Sequence, residues 1–252
     1  MINGQSRVFA GILSPVVDGG QYSIRRVVGQ WVQVDAQVLC DGHDIIQAEL
    51  QFKPASQKEW DAHRIWGHAE DRYSGRFQVT AQGLWQYRVA GWVDHGLTWR
   101  EGLYKKVQDG QYVRTELHDG IELLESLIKS KKGDKASITL LKNALALIRD
   151  DDQYEAAVQA ALSNELQHIL YTAPEKKYIS YSKVYEVYVD RKKALFSAWY
   201  EFFPRSASEI SGQHGTFKDC VRLLPRVKEM GFDVLYFPPI HPIGEINRKG
   251  KN

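Results

Sequence analysis

From residue 31 to residue 54 apolar and polar side chains alternate with a period of two, a pattern that puts one face of an extended chain against a core and the other outside it. In WVQVDAQVLC, Val32, Val34, Ala36, Val38 and Cys40 share one face while Gln33, Asp35 and Gln37 share the other. In DIIQAELQFKP the apolar set is Ile46, Ala48, Leu50 and Phe52, the polar set is Gln47, Glu49, Gln51 and Lys53, and Pro54 closes the run. The turn-rich CDGHD between them predicts a hairpin-like connection. RFQVT and LWQYRVAGWVD add further strands, with Trp85, Tyr87 and Val89 alternating with Gln86, Arg88 and Ala90. Period two holds over roughly 8–105, punctuated by glycine and proline, which predicts an antiparallel β-sandwich of immunoglobulin-like type.

Near residue 115 the period becomes helical. Ile121, Leu124 and Ile128 form one stripe, Leu141, Ala144, Leu145 and Ile148 a second, and Tyr154, Val158, Ala161 and Ile169 a third. The polar breaks KKGDK and RDDD divide a helical hairpin or three-helix unit over roughly 115–172. So short a unit is expected to pack on a neighbour, in the chain or in a second subunit, rather than build a large core alone. After about 180 the pattern becomes strand, helix, strand. SAWYEFFPRS reads as a short buried strand ended by Pro204. GTFKDCVRLLPRVKEMG reads as a helix with a capping pair, Thr216 and Asp219, and a terminal Gly231, while Pro225 is expected to split it, kink it or start a second turn. FDVLYFPPIHPIG supplies an apolar strand from Val234 to Phe237, so the end of the chain reads as the opening of a parallel α/β fold.

The totals narrow the function. Lys and Arg number 33 against 31 Asp and Glu, a formal charge of +2 with the signs interspersed, which makes no electrostatic footprint for nucleic acid or an anionic membrane. No run approaches a membrane span, and the start lacks a charged leader followed by a long apolar stretch, so the expectation is a cytoplasmic protein. Cys40 and Cys220 lie in no CxxC pattern and near no histidine cluster; two buried thiols are expected, with neither a disulfide framework nor a metal site.

SAWYEFFPRS, HGTFKDCVRLLPRVKEMGFDVLYFPPIHPIG and NRKGKN together resemble the first two strand-helix units of an amylase-type barrel, and in particular the α-1,4-glucan:maltose-1-phosphate maltosyltransferases. SPVVDGGQYSIRRVVGQ and VLCDGHDIIQAELQFKP resemble that family's N-terminal sandwich, and the helical stretch occupies the place of its helical insert, so the resemblance covers nearly the whole chain. It implies a sandwich over residues 1–110, a helical insert over 111–178 and the start of a (β/α)8 catalytic barrel over 179–252. It implies transfer of maltosyl units from maltose 1-phosphate to the non-reducing end of an α-1,4-glucan by a retaining double displacement, with no cofactor, and a homodimer as the assembly. Residues 197–252 number 56, whereas a complete barrel takes about 250. The family's nucleophile and acid/base follow later strands, so this polypeptide is expected to carry no catalytic carboxylate and to be inert by itself.

Glu201 and Asp233 lie beside strands but off the family's catalytic positions, and read as hydrogen-bond anchors. Arg248, Lys249, Lys251 and Asn252 follow the second barrel strand, where cations can hold phosphate or sugar hydroxyls; resemblance to the family's substrate-contacting RKG segment favours Lys249. A solvated basic turn is the other reading. His241 reads as a structural residue of the PIHPIG turn. The alternative function is a carbohydrate-binding or dimerisation module. Assembly is preferred over sugar binding, because Trp31, Trp85 and Trp92 sit in strand patterns that packing explains.

Overall fold

The computed structural model describes residues 6–130, 135–241 and 244–249. The chain opens with β1 (Val8–Ser14), β2 (Ile24–Val27), β3 (Trp31–Cys40), β4 (Ile46–Pro54), β5 (Asp61–Gly67), β6 (Arg72–Gln78) and β7 (Gly83–Val93). Helices α1 (His95–Gln108), α2 (Arg114–Ser130), α3 (Lys135–Arg149), α4 (Tyr154–Leu162) and α5 (Asn164–Thr172) follow. The chain then returns through β8 (Ser180–Tyr181) and β9 (Tyr185–Asp190), and ends in β10 (Trp199–Glu201), α6 (Phe217–Glu229) and β11 (Val234–Tyr236).

The first nine strands form one mixed sheet in the order β1-β3-β6-β5-β4-β7-β9-β2, with β8 on β7. Strand β5 switches partner along its length: Asp61–Ile65 pair with β4, while Trp66 and Gly67 pair with β6. The sheet therefore folds over, and its two halves face each other across one core. Val32, Val34, Ala36 and Val38 of β3 meet Ala48 and Leu50 of β4 and Trp85, Tyr87 and Val89 of β7 in that core. The approach is close enough that a Cβ on Gly91 would lie 2.7 Å from Val38. Burying each valine or leucine among these contributes about 1.5–3 kcal/mol.

Several expectations change here. Strands β3 and β4 do not form a hairpin, because each turns its apolar face to the same core from opposite halves of the sheet, and CDGHD crosses between them. Trp85 and Trp92 are buried, but Trp31 is 50% exposed with the Arg76 guanidinium 4.6 Å over its ring; the alternation that buries Val32 turns Trp31 outward. The outer face of β4 is also covered, so Glu49 and Gln51 are buried rather than solvated. Gln51 donates to Glu49 at 2.6 Å, Glu49 pairs with Lys176 at 2.5 Å, and Arg88 donates to Gln51 while its guanidinium lies over Trp60 and Tyr181. Buried polar groups persist where partners satisfy them, and here the segment after α5 supplies the cover.

Helix begins at His95, earlier than the period suggests. Asp94 caps α1 by accepting from the Leu97 N–H at 3.0 Å. The helices build a core of their own from residues including Leu103, Leu117, Leu124, Leu141, Ile148, Leu166 and Leu170, more than so short a unit is expected to build, and they also lie against the sheet, where Tyr171 stacks on Trp66. Gly120 admits the Trp99 ring against α2, where a Cβ would lie 2.3 Å from it. Residues 180–190, read from sequence with the α/β end of the chain, instead complete the sheet: β9 lies antiparallel to β7 and parallel to β2, burying Val187 and Val189.

The strand-helix-strand end is present as read. β10 and β11 pair in parallel through Trp199–Val234, Tyr200–Leu235 and Glu201–Tyr236. Strand β10 is not buried, however, and Trp199 is 60% exposed. Helix α6 runs through Pro225 without a break. Both cysteines are free thiols; Cys220 is buried and Cys40 half-buried.

Candidate functional site

A cleft of about 460 Å³ lies where β10 and β11 end. One wall comes from Phe203, Pro204 and Arg205 after β10, another from Pro238, Pro239, Ile240 and His241 after β11, and Gly215, Thr216 and Phe217 at the start of α6 close it. Parallel pairing with one intervening helix dictates this arrangement: both strands point their carboxyl ends, and the helix its amino end, to the same side. Aromatic contacts join the strand ends to the helix start beside the cleft. The Phe202 and Phe237 rings meet edge to face at 5.4 Å, and Phe217 lies 5.9 Å from Phe237.

Two details hold the rim. The Asp219 carboxylate accepts from both the N–H and the hydroxyl of Thr216, each at 2.7 Å, and these bonds, that from the backbone first, hold its pKa below the ordinary value. Gly215 donates to the Arg205 carbonyl at 2.8 Å, and a Cβ there would lie 2.4 Å from the Pro204 carbonyl oxygen. Only glycine lets the two backbones approach so closely. The cleft therefore combines aromatic and proline walls with an imidazole, a guanidinium and a hydroxyl, a lining suited to a polyhydroxylated or anionic ligand.

Of the residues singled out from sequence, Arg248 and Lys249 are exposed in the loop after β11, and Lys251 and Asn252 lie outside the described residues. His241 is part of the cleft wall. Glu201 ends β10 and is exposed. Asp233 lies at the opposite end of the strands, paired with Lys193 at 2.8 Å and accepting from the Ala198 N–H at 3.3 Å. The bond to Lys193 is the main reason its pKa lies below the ordinary value. It is the hydrogen-bond anchor expected. Phe203 and Arg205 were not singled out from sequence, and Thr216 was read there only as a helix cap.

Among the described residues no group of three His, Cys, Asp or Glu side chains could hold a metal ion, and no helix is long and apolar enough to cross a membrane.

Residues 6–191 match the family model described as α-1,4-glucan:maltose-1-phosphate maltosyltransferase, domain N/S. Curated proteins named α-1,4-glucan:maltose-1-phosphate maltosyltransferase are similar along the chain. That of Chlorobaculum tepidum is 43% identical over 99% of this chain and 37% of its own length. That of Myxococcus xanthus is 39% identical over 97% of this chain and 38% of its own. The second such protein of Streptomyces coelicolor is 35% identical over 99% and 38%. The chain thus spans little more than a third of the length of these relatives. With most of its length matched by the family model, the chain belongs to the α-1,4-glucan:maltose-1-phosphate maltosyltransferase family.

Proposed function

We propose that this chain is the N-terminal part of an enzyme that moves maltosyl units from maltose 1-phosphate to the non-reducing end of α-1,4-glucans. The observation that carries this reading is the family match over residues 6–191, with similarity to whole maltosyltransferases continuing over 99% of the chain. In this reading the folded-over sheet is an immunoglobulin-like sandwich, α1 to α5 are its helical insert, and β10, α6 and β11 begin a (β/α)8 barrel. A parallel β10–β11 pair and a cleft at its carboxyl end support the barrel assignment, since barrel enzymes bind ligands on that side. The enzyme works in the cytoplasm as a homodimer.

The chemistry proposed is a double displacement with retention. One carboxylate attacks the anomeric carbon of the donor and phosphate leaves with a proton from a second carboxyl group. That group then takes the proton of the acceptor hydroxyl as the sugar is transferred. By resemblance to the family we assign this pair to strands after β11; within the chain Asp233 is held by Lys193 and Ala198. Within the chain, Lys249 and Arg248, with Lys251 and Asn252, are assigned to the donor, and the cleft residues Arg205 and His241 lie at its approach.

The test is Lys249→Met in the enzyme of full relative-like length. It removes charge but keeps most of the stem, so kcat/KM for maltose 1-phosphate should fall about tenfold to hundredfold, the worth of one charge-assisted hydrogen bond. Thermal stability should stay level. Unchanged efficiency would make the segment a solvated basic turn.

A further inference from the structure

The chain leaves the sheet for the helices at Asp94 and comes back along residues 173–180, and the two crossings meet. Asp94 is 2% exposed. Its Oδ1 takes the Leu97 N–H, whereas its Oδ2 is buried and has no hydrogen-bond partner among the described residues. An orphaned carboxylate oxygen in such a place costs more than a missing contact, because its lost hydration is not replaced. Beside it is a cavity of about 10 Å³, walled by Asp94, Gly96, Leu127, Leu170, Pro174 and Glu175 among others. That volume is about one water probe. The same cavity is lined by a second carboxylate, Glu175, a quarter exposed, which takes the Ser126 hydroxyl at 2.6 Å and Lys177 at 2.9 Å.

We propose that Asp94 and Glu175 share one internal hydrogen-bond donor, a water molecule held between them, and that this bridge is an acid-strengthened clasp closing the base of the helical unit. Leu123 and Leu127 of α2 and Leu170 of α5 line the cavity beside the acids, and a water there satisfies Oδ2 while separating two acids. When Asp94 is ionised the bridge must hold a buried charge near a second carboxyl group; with Asp94 protonated, its hydroxyl adds a donor and that cost goes. The groups that face Asp94 are Arg64 from β5, His95 on α1 itself and Glu175 after α5. The two cations favour ionisation, yet burial outweighs them and keeps the Asp94 pKa above its ordinary value. A carboxyl raised in the folded state stabilises the fold fully below the unfolded value and loses that contribution as pH rises through the folded value. The clasp therefore loosens towards neutral pH.

The experiment has two arms on the chain as it stands. In a high-resolution crystal structure one water should lie within hydrogen-bond distance of both Asp94 Oδ2 and the Glu175 carboxylate; a dry cavity overturns the bridge. In urea unfolding at about pH 4.5 and about pH 7.5, Asp94→Asn should lower the unfolding constant relative to wild type by about threefold to tenfold more at the higher pH, since Asn keeps the cap without the charge. Glu175→Gln should produce the same pH-dependent gain with Asp94 present and little in the Asp94→Asn background, so the clasp stays testable if one variant does not fold. Equal pH profiles for wild type and Asp94→Asn, or gains from the two variants that simply add, overturn the proposal.

Discussion

Val38 in β3 and Val221 in α6 are the same side chain in opposite circumstances: the first is fully buried and the second is 62% exposed. The contrast holds for the regions around them. In the folded-over sheet an inward side chain meets the other half of the same sheet, and in α1 to α5 it meets another helix. The C-terminal βαβ unit is equally apolar, but two strands and one helix cover each other on one side only. Trp199, Phe203, Phe217, Val221 and Ile240 are each more than half exposed. Composition does not separate the regions; the number of layers does.

Truncation on either side measures that difference directly. Leu50→Ala should destabilise the chain by about 2–5 kcal/mol, the range for a fully buried leucine, whereas Leu224→Ala on the exposed face of α6 should cost less than about 0.5 kcal/mol. Urea midpoints followed by Trp fluorescence decide it, and equal losses would mean that α6 is covered in solution. A smaller effect sharpens the contrast for hydroxyls. Tyr87 is buried and donates to the Pro15 carbonyl at 2.7 Å, while Tyr236 is 44% exposed. Tyr87→Phe should cost about 1 kcal/mol and Tyr236→Phe almost nothing. Burial and the nearby Tyr185 push the Tyr87 pKa up to about 12. The wild type should therefore lose stability between about pH 10 and that value, and Tyr87→Phe should lose less.

The smallest effect is expected at Asp35 on the outer face of β3, whose carboxylate accepts from Ser74 at 2.7 Å and Ser14 at 2.9 Å. These bonds, that from Ser74 foremost, hold its pKa below the usual value. The contribution is present above the unfolded value and disappears as pH falls through the folded one. Asp35→Asn should thus cost under about 1 kcal/mol at neutral pH and approach zero in acid below about pH 3.9, read from unfolding curves at the two pH values.

What could be read along the chain was local. Val32, Val34, Ala36 and Val38 of β3, Trp85, Tyr87 and Val89 of β7 and the stripe Leu141, Ala144, Leu145 and Ile148 are fixed by neighbours two or four positions away and are buried as the periods require, although Ala90, on the other face of β7, is buried too. Pairing is not local: the same alternation in β3 and β4 is compatible with a hairpin or with opposite halves of a folded sheet. YEVYVD forms β9, whose place between β7 and β2 depends on residues far away in the chain and was not read from the sequence. The polar half of β4 misled because period two reports one covered face, and the segment carrying Lys176 covers the second. At the cleft the strand ends and the Thr216 cap were visible. The wall of Phe203, Pro204 and Arg205 needed the register of β10 against β11.

The pairing of Ser180 and Tyr181 with Gly91 and Ala90 places the return from α5 beside the point where β7 gives way to α1. To the sheet, everything between is one very long connection whose two ends share a strand. The entropy of closing such a connection grows only with the logarithm of its length, and ends held this close suit the insertion of a whole independently cored unit. Helices could be gained, lost or exchanged there without shifting the register of β7, so the sheet and its helical unit are free to diverge at different rates.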